Sequence, residues 1–222
     1  MNYDRIYAYR FQDIQQEQRQ NVWAEITRFI EARLNHPKTI LDPAAGRCEF
    51  INESAAAEKW AIDQSNQIHA FAASDIRVVQ NNIFRIDLPK AYFDGIFVSN
   101  FLEHLNSPHD IAAFLEKMYD VLRVGGRIAV MGPNFKLCSA VYFDCADHIL
   151  ALTETSVAEH VYGAGFEVIE IRKAFLPFSF RGLLPPSRRL TRLYLQWPWV
   201  WPILGKQFLI IGEKPKSYNT NQ

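Results

Sequence analysis

Two groups of residues in the 222-residue chain have types and spacing suited to chemistry. The first is Asp42, the small-residue turn Pro43-Ala44-Ala45-Gly46, and Asp63. The apolar run Thr39-Ile40-Leu41 ends on Asp42. A second run, Lys59-Trp60-Ala61-Ile62, ends on Asp63 about 20 positions later, with Gln64 next to it. Small residues in such a turn let a ligand approach the backbone. The helix that follows offers unpaired N–H groups to an anion, and an acid at the next strand end can accept both hydroxyls of a ribose. The second group is Glu103-His104 and, further along, Asp144, Asp147 and His148. Histidine has the right pKa to take a proton near neutral pH, and Asp144 or Asp147 could orient the His148 ring. Glu103 reads more simply as a brace for its own loop. A metal held by His104, His148 and Asp144 is conceivable, but their spacing is not diagnostic of one and none is expected.

The glycine count separates two ligands for the first group. A dinucleotide site wants three glycines so that a pyrophosphate can lie against the backbone. Here only Gly46 is present, and Ala44 and Cys48 stand where the other two would be. The amine and carboxylate of an amino acid need a less close approach, so the turn fits an adenosyl amino acid better than a dinucleotide.

The elements that must carry these residues alternate between strand and helix. Periodic Val22, Ile26, Phe29 and Ile30 predict a helix over about 16–34, stopped by Asn35-His36-Pro37, with an aromatic arm over 1–15 before it. After strand 39–42 and the turn, helices are expected over 47–57 and 65–73, with strands ending at Asp63 and Val79. Phe93–Ser99 is a nearly continuous apolar run, as in a central parallel strand. Ser107-Pro108 is a helix start, with Ile111, Leu115, Met118 and Leu122 on its buried face, and Gly125-Gly126 reads as its stop before a strand over 127–131. Residues 135–152 read as a linker of mixed character. A helix capped by Thr153 and strands over 166–171 and 207–212 complete the pattern. This is an α/β chain with seven candidate strands, expected to form one domain over 1–222.

Lys plus Arg and Asp plus Glu both total 24, so no net field argues for nucleic acid. Three cysteines without zinc-like spacing suit a reducing compartment, and the polar start of the chain is no signal peptide, so a cytoplasmic location is expected. The segment 174–206 contains no acidic residue. It carries Arg181, Arg188, Arg189 and Arg192 with Trp197, Trp199 and Trp201, broken by Pro185, Pro186, Pro198 and Pro202. Three roles suit it: a lid over an acceptor, peripheral contact of 181–204 with an acidic membrane surface, or a hydrophobic cap with solvated arginines.

The DPAAG turn, the string SNFLEHL after an apolar strand, and VLRVGGRIAVMGPN together resemble the class I S-adenosylmethionine-dependent methyltransferases. That resemblance implies a Rossmann-like, mostly parallel sheet of order 3-2-1-4-5-7-6 with helices on both faces, and S-adenosylmethionine as cofactor. Asp42, Ala44 and Gly46 would then face the methionine end, and Asp63 with Gln64 the ribose. Asn82 and Ile83 would face the adenine, where the family more often has an acid and Asp87 is a weaker alternative. Asn100 and Phe101 would line the cofactor. The YFD…DH…LTE linker and the FLPF…GKQF tail are further similar to bacterial members associated with envelope polysaccharide or glycoconjugate assembly, which implies a small-molecule, glycan or lipid-linked acceptor.

Oxygen methylation needs a proton acceptor, and His148, His104 and Asp144 are the candidate catalytic residues. A second reading keeps the fold and the cofactor but not the catalysis. Ala44, Cys48 and Asn82 depart from the usual pattern, as a regulatory copy would. The missing glycines and SNFLEHL argue against a nicotinamide-dependent oxidoreductase.

Overall fold

Apolar residues alternate along the central strands, and each parity packs on a different layer of helices. The computed structural model describes residues 3–10, 16–178 and 187–216. Its strands are β1 (Thr39–Asp42), β2 (Glu58–Asp63), β3 (Ile76–Gln80), β4 (Phe93–Ser99), β5 (Leu122–Pro133), β6 (Glu167–Arg172) and β7 (Gln207–Glu213). They form one sheet of order β3-β2-β1-β4-β5-β7-β6, parallel except for the antiparallel β7, the expected order.

The helices are α1 (Tyr3–Arg10), α2 (Gln16–Arg33), α3 (Glu49–Glu53), α4 (Ile68–Phe71), α5 (Pro108–Val121), α6 (Phe135–Tyr142), α7 (Glu154–Gly163), α8 (Arg188–Gln196) and α9 (Trp201–Leu204). Ile40, Phe97, Ala129, Met131, Leu209 and Ile211 face Ile26 and Ile30 of α2, Phe50 of α3, Leu195 of α8 and Trp201 of α9. Leu41, Ile96, Val98, Ile128, Val130 and Ile210 face Ile111, Leu115 and Met118 of α5 and Val157 and Val161 of α7. At about 25 cal/mol per Å² of apolar surface removed from water, these two layers are the main force holding the sheet.

Four local expectations are corrected. The helix after the turn is only five residues long. Glu31 of α2 accepts from the Ser54 hydroxyl at 2.6 Å and the Ala55 N–H at 2.9 Å, which pulls the chain out of helical geometry. The next helix shrinks to the single turn α4, which Asn52 clamps by donating to Phe71 O and accepting from Ala73 N–H. Gly125-Gly126 does not stop α5, which ends at Val121. The pair lies in a bulge of β5, with Gly125 left-handed at φ 75° and both residues bonded to Lys214. The supposed linker holds α6, capped by the Asn134 side chain and anchored by fully buried Tyr142, whose hydroxyl donates to Leu150 O at 2.7 Å.

Candidate functional site

The carboxyl ends of β1, β2 and β4 carry the first group of residues, at the edge where open α/β sheets bind ligands. The turn after β1 is tied to β2, for Ala45 N–H donates to Ile62 O at 2.9 Å. Gly46 has φ 52°, which favours glycine, and no heavy atom lies within 4 Å of where a Cβ would stand. Cys48 is also left-handed, at φ 59°. It thus takes backbone geometry natural to glycine while its side chain is fully buried, a strain of about 1–2 kcal/mol.

Asp63 organises this end. One carboxylate oxygen accepts from Gly46 N–H at 2.8 Å and the other from Ser65 N–H at 2.9 Å. Each oxygen keeps a further lone pair, so the carboxylate is held in place and can still accept from a ribose. Asp42 is buried, and burial pushes its carboxyl up to about 8, helped by the charges of Asp63 and Glu49. A buried acid of this kind favours a cationic partner, such as the ammonium of an amino acid.

The remaining cofactor candidates frame the same edge. Gln64 is exposed, Asn82 half-buried and Ile83 buried. The Asn82 carbonyl oxygen already accepts from Phe84 N–H at 2.9 Å, so an adenine amino group would share that acceptor. Asn100 is left-handed at φ 48°, and its amide donates to the Ser99 hydroxyl at 2.8 Å. Phe101 packs on Phe114 with ring centroids 4.9 Å apart. These residues fit S-adenosylmethionine: a backbone cradle, a positioned carboxylate for the ribose and a buried acid for the ammonium.

The second group assembles beside them, after β4 and α6. The ring centroids of His104 and His148 are 5.0 Å apart. His104 Nδ1 lies 2.9 Å from the Asp147 carbonyl oxygen. A carbonyl only accepts, so Nδ1 carries the proton and Nε2 keeps its lone pair. That Nε2 is 3.9 Å from Glu103 Oε1. His148 stacks edge-on to Tyr142 and Phe178, and burial, with His104 next, pushes its pKa down to about 4. Burial raises the Glu103 carboxyl. Burial also opposes ionisation of Asp147, but the bond from Arg10 and the nearby His104 outweigh it and hold that carboxyl low.

The expected partnership is therefore rearranged. Asp147 is buried, ion-paired to Arg10 of α1 and bonded to His104 through its carbonyl. Asp144 is exposed, and among the described residues no side-chain bond joins it to either histidine. One contributor, Arg10, was not assigned to this group from the sequence. Arg10 ties the N-terminal helix to this cluster, and Glu103 both braces the loop, its carbonyl accepting from the Ile149 and Leu150 N–H groups, and buries its side chain in the cluster.

The tryptophan-rich segment packs on α2. Arg188 and Arg192 remain about half exposed, yet both pair with buried Glu25, each with a nitrogen at 2.8 Å. Arg192 and then Arg188 overcome the effect of burial to lower the Glu25 carboxyl to about 2. Arg181, Pro185 and Pro186 lie outside the described residues. No helix among the described residues is long and apolar enough to cross a membrane.

Residues 41–130 match the family model described as a methyltransferase domain. No curated protein matches the chain significantly. An S-adenosylmethionine-dependent methyltransferase from Archaeoglobus fulgidus superposes with TM-score 0.68 at 20% identity, covering 96% of this chain and 100% of that one. One from Thermotoga maritima gives TM-score 0.67 at 13% identity, covering 94% of each chain. The N-methyltransferase NodS from Bradyrhizobium japonicum, solved with S-adenosyl-L-homocysteine, gives 0.61 at 14% identity and covers 86% of this chain and 85% of its own. The strand order, the strand-end acids and these likenesses agree: the chain has the fold of the class I S-adenosylmethionine-dependent methyltransferases.

Proposed function

We propose that the protein transfers a methyl group from S-adenosylmethionine to an oxygen of a small-molecule, glycan or lipid-linked acceptor. The observation that carries this reading is a pair of polar side-chain clusters at one sheet edge. Asp42, Gly46 and Asp63 form the cofactor side, and the Glu103-His104-Asp147-His148 cluster forms the acceptor side. S-adenosylmethionine, when bound, supplies a methyl carbon on a sulfonium, whose C–S bond breaks as the O–C bond forms.

The chain's own residues do the rest. Asp63 fixes the ribose and Asp42 the ammonium, so the donor is held in one orientation, which lowers the entropic part of the barrier. The acceptor hydroxyl must lose its proton, and the free lone pair on His104 Nε2 or a ring nitrogen of His148 can take it. Arg10 and Asp147 hold the His104 ring. An amine acceptor, as the name of NodS implies for that protein, would need no such group; the histidine pair is what supports oxygen.

A membrane-borne acceptor is supported by the surface of α8 and α9. Leu190, Leu193, Trp197, Trp199, Ile203 and Leu204 are all exposed there, Ile203 by 70%, beside exposed Arg189 and with no acid between 174 and 206. Such a face suits an anionic lipid surface. The test is formation of S-adenosylhomocysteine on mixing protein and cofactor with free sugars and with lipid-linked saccharides, followed by location of the methyl group. Acceptor-dependent turnover with the methyl on oxygen is expected. Turnover with amines alone would overturn the oxygen assignment.

A further inference from the structure

The acceptor-side cluster contains more unsatisfied donor capacity than a proton shuttle requires. Glu103 is 1% exposed, yet its Oε1 has no hydrogen-bond partner among the described residues, and the same holds for buried His148 Nδ1. A buried polar atom left unpaired costs about 1–3 kcal/mol, so a native fold normally satisfies it with a ligand, an ion or water. One donor atom each from Glu103, His104 and His148 lies within 4.8 Å of the others.

We propose that Glu103, His104 and His148 bind a divalent first-row transition ion of the zinc type. The donor set argues for that class. Two imidazoles and one carboxylate suit zinc and its neighbours, whereas magnesium and calcium prefer oxygen throughout. The outer shell is already built. His104 Nδ1 is fixed on the Asp147 carbonyl oxygen, which turns Nε2 toward Glu103 Oε1 at 3.9 Å, and Arg10 in turn holds Asp147. Bond lengths of about 2.0–2.2 Å around a tetrahedral ion set neighbouring donors about 3.4 Å apart, within reach of small side-chain rotations. Three protein ligands leave a fourth position open, as catalytic zinc sites do. A hydroxyl bound there would become far more acidic, so an ion would activate the acceptor in place of an imidazole base. That purpose rests on the methyl-transfer reading; the binding itself does not.

The experiment is titration of the metal-stripped protein with Co²⁺ alone, followed by visible absorption and then by displacement with Zn²⁺. One equivalent is expected, with the intense visible bands of a low-coordinate cobalt site that vanish on adding zinc. His104→Ala and His148→Ala should each weaken Co²⁺ binding at least about tenfold, the lower range for disturbing even an outer-shell partner. Glu103→Gln, which keeps the buried volume, should weaken it too and guards against loss of fold in the other two variants. Absence of stoichiometric Co²⁺ binding by the folded wild type, or binding unchanged in all three variants, overturns the inference. Titration of the same samples with S-adenosylhomocysteine separates the two proposals. A protein that binds Co²⁺ but not the nucleoside keeps the metal site and loses the methyl-transfer reading, and the reverse result does the opposite.

Discussion

Cofactor binding should be coupled to proton release at Asp42. This carboxyl lies at the end of β1, and burial raises its pKa to about 8, with Asp63 and Glu49 adding to the effect. The Ala44 N–H, 3.4 Å from Oδ1, pulls the other way. At pH 7 the ligand-free protein therefore holds Asp42 mostly protonated, while the ammonium of S-adenosylhomocysteine favours the ionised form. Ionising it one unit below its pKa costs about 1.4 kcal/mol, which is a factor of about 10 in affinity. Affinity should accordingly rise about tenfold for each pH unit up to about 8 and then level off. Calorimetry at pH 7 in two buffers of different ionisation enthalpy should show close to one proton released per ligand bound. Asp42→Asn should abolish both the slope and the proton release. The sign for stability follows from the same shift. A raised acid pKa favours the folded state fully below the unfolded value near 4, and that advantage is lost as pH rises through about 8. Flat affinity from about pH 6 to 8.5 without proton exchange would refute the placement of Asp42 at the ammonium.

Asp63→Ala removes a carboxylate already fixed by Gly46 and Ser65 N–H groups. Two charge-assisted bonds of about 1.5–3 kcal/mol each would be lost, so calorimetry should show at least about a hundredfold weaker S-adenosylhomocysteine binding, with circular dichroism unchanged. Gly46→Ala meets no neighbour within 4 Å but must hold φ 52°. A cost of about 1 kcal/mol should lower the melting temperature by about 2–4 °C, and an unchanged value would show that the turn relaxes. Glu25→Ala removes the ion-pair partner on α2 of Arg188 and Arg192 in α8. Since the Glu25 carboxyl is lowered to about 2, the wild-type advantage in thermal unfolding should be full above pH 4.5 and fade as pH falls toward 2; an advantage independent of pH would show that packing, not charge, holds α8.

The sheet was legible because each strand is a short apolar run closed by a turn signal, and because parallel strands buried on both faces have no polar parity to obscure them. The placing of Asp42 and Asp63 at strand ends was legible for the same reason, since sequence order fixes position there. The misreadings come from contacts between distant residues. Nothing near Ser54 announces that Glu31 will end α3, and nothing near Gly125 announces its pairing with Lys214. The Glu103-His104-Asp147-His148 cluster depends on such contacts throughout. Asp144 and Asp147 are equivalent in sequence, and only the path of the loop after α6 buries one and exposes the other. The pairing of Arg188 and Arg192 with Glu25 is likewise a long-range contact with no local signal in the sequence.

Methyl transfer at this sheet edge requires that it bind an adenosyl amino acid. Calorimetric titration of the wild-type protein with S-adenosylhomocysteine tests it most directly. One-to-one binding in the micromolar range, weakened at least about a hundredfold by Asp63→Ala, is the expected result. A folded wild-type protein that takes up no S-adenosylhomocysteine, at neutral pH or at pH 8.5, would contradict it.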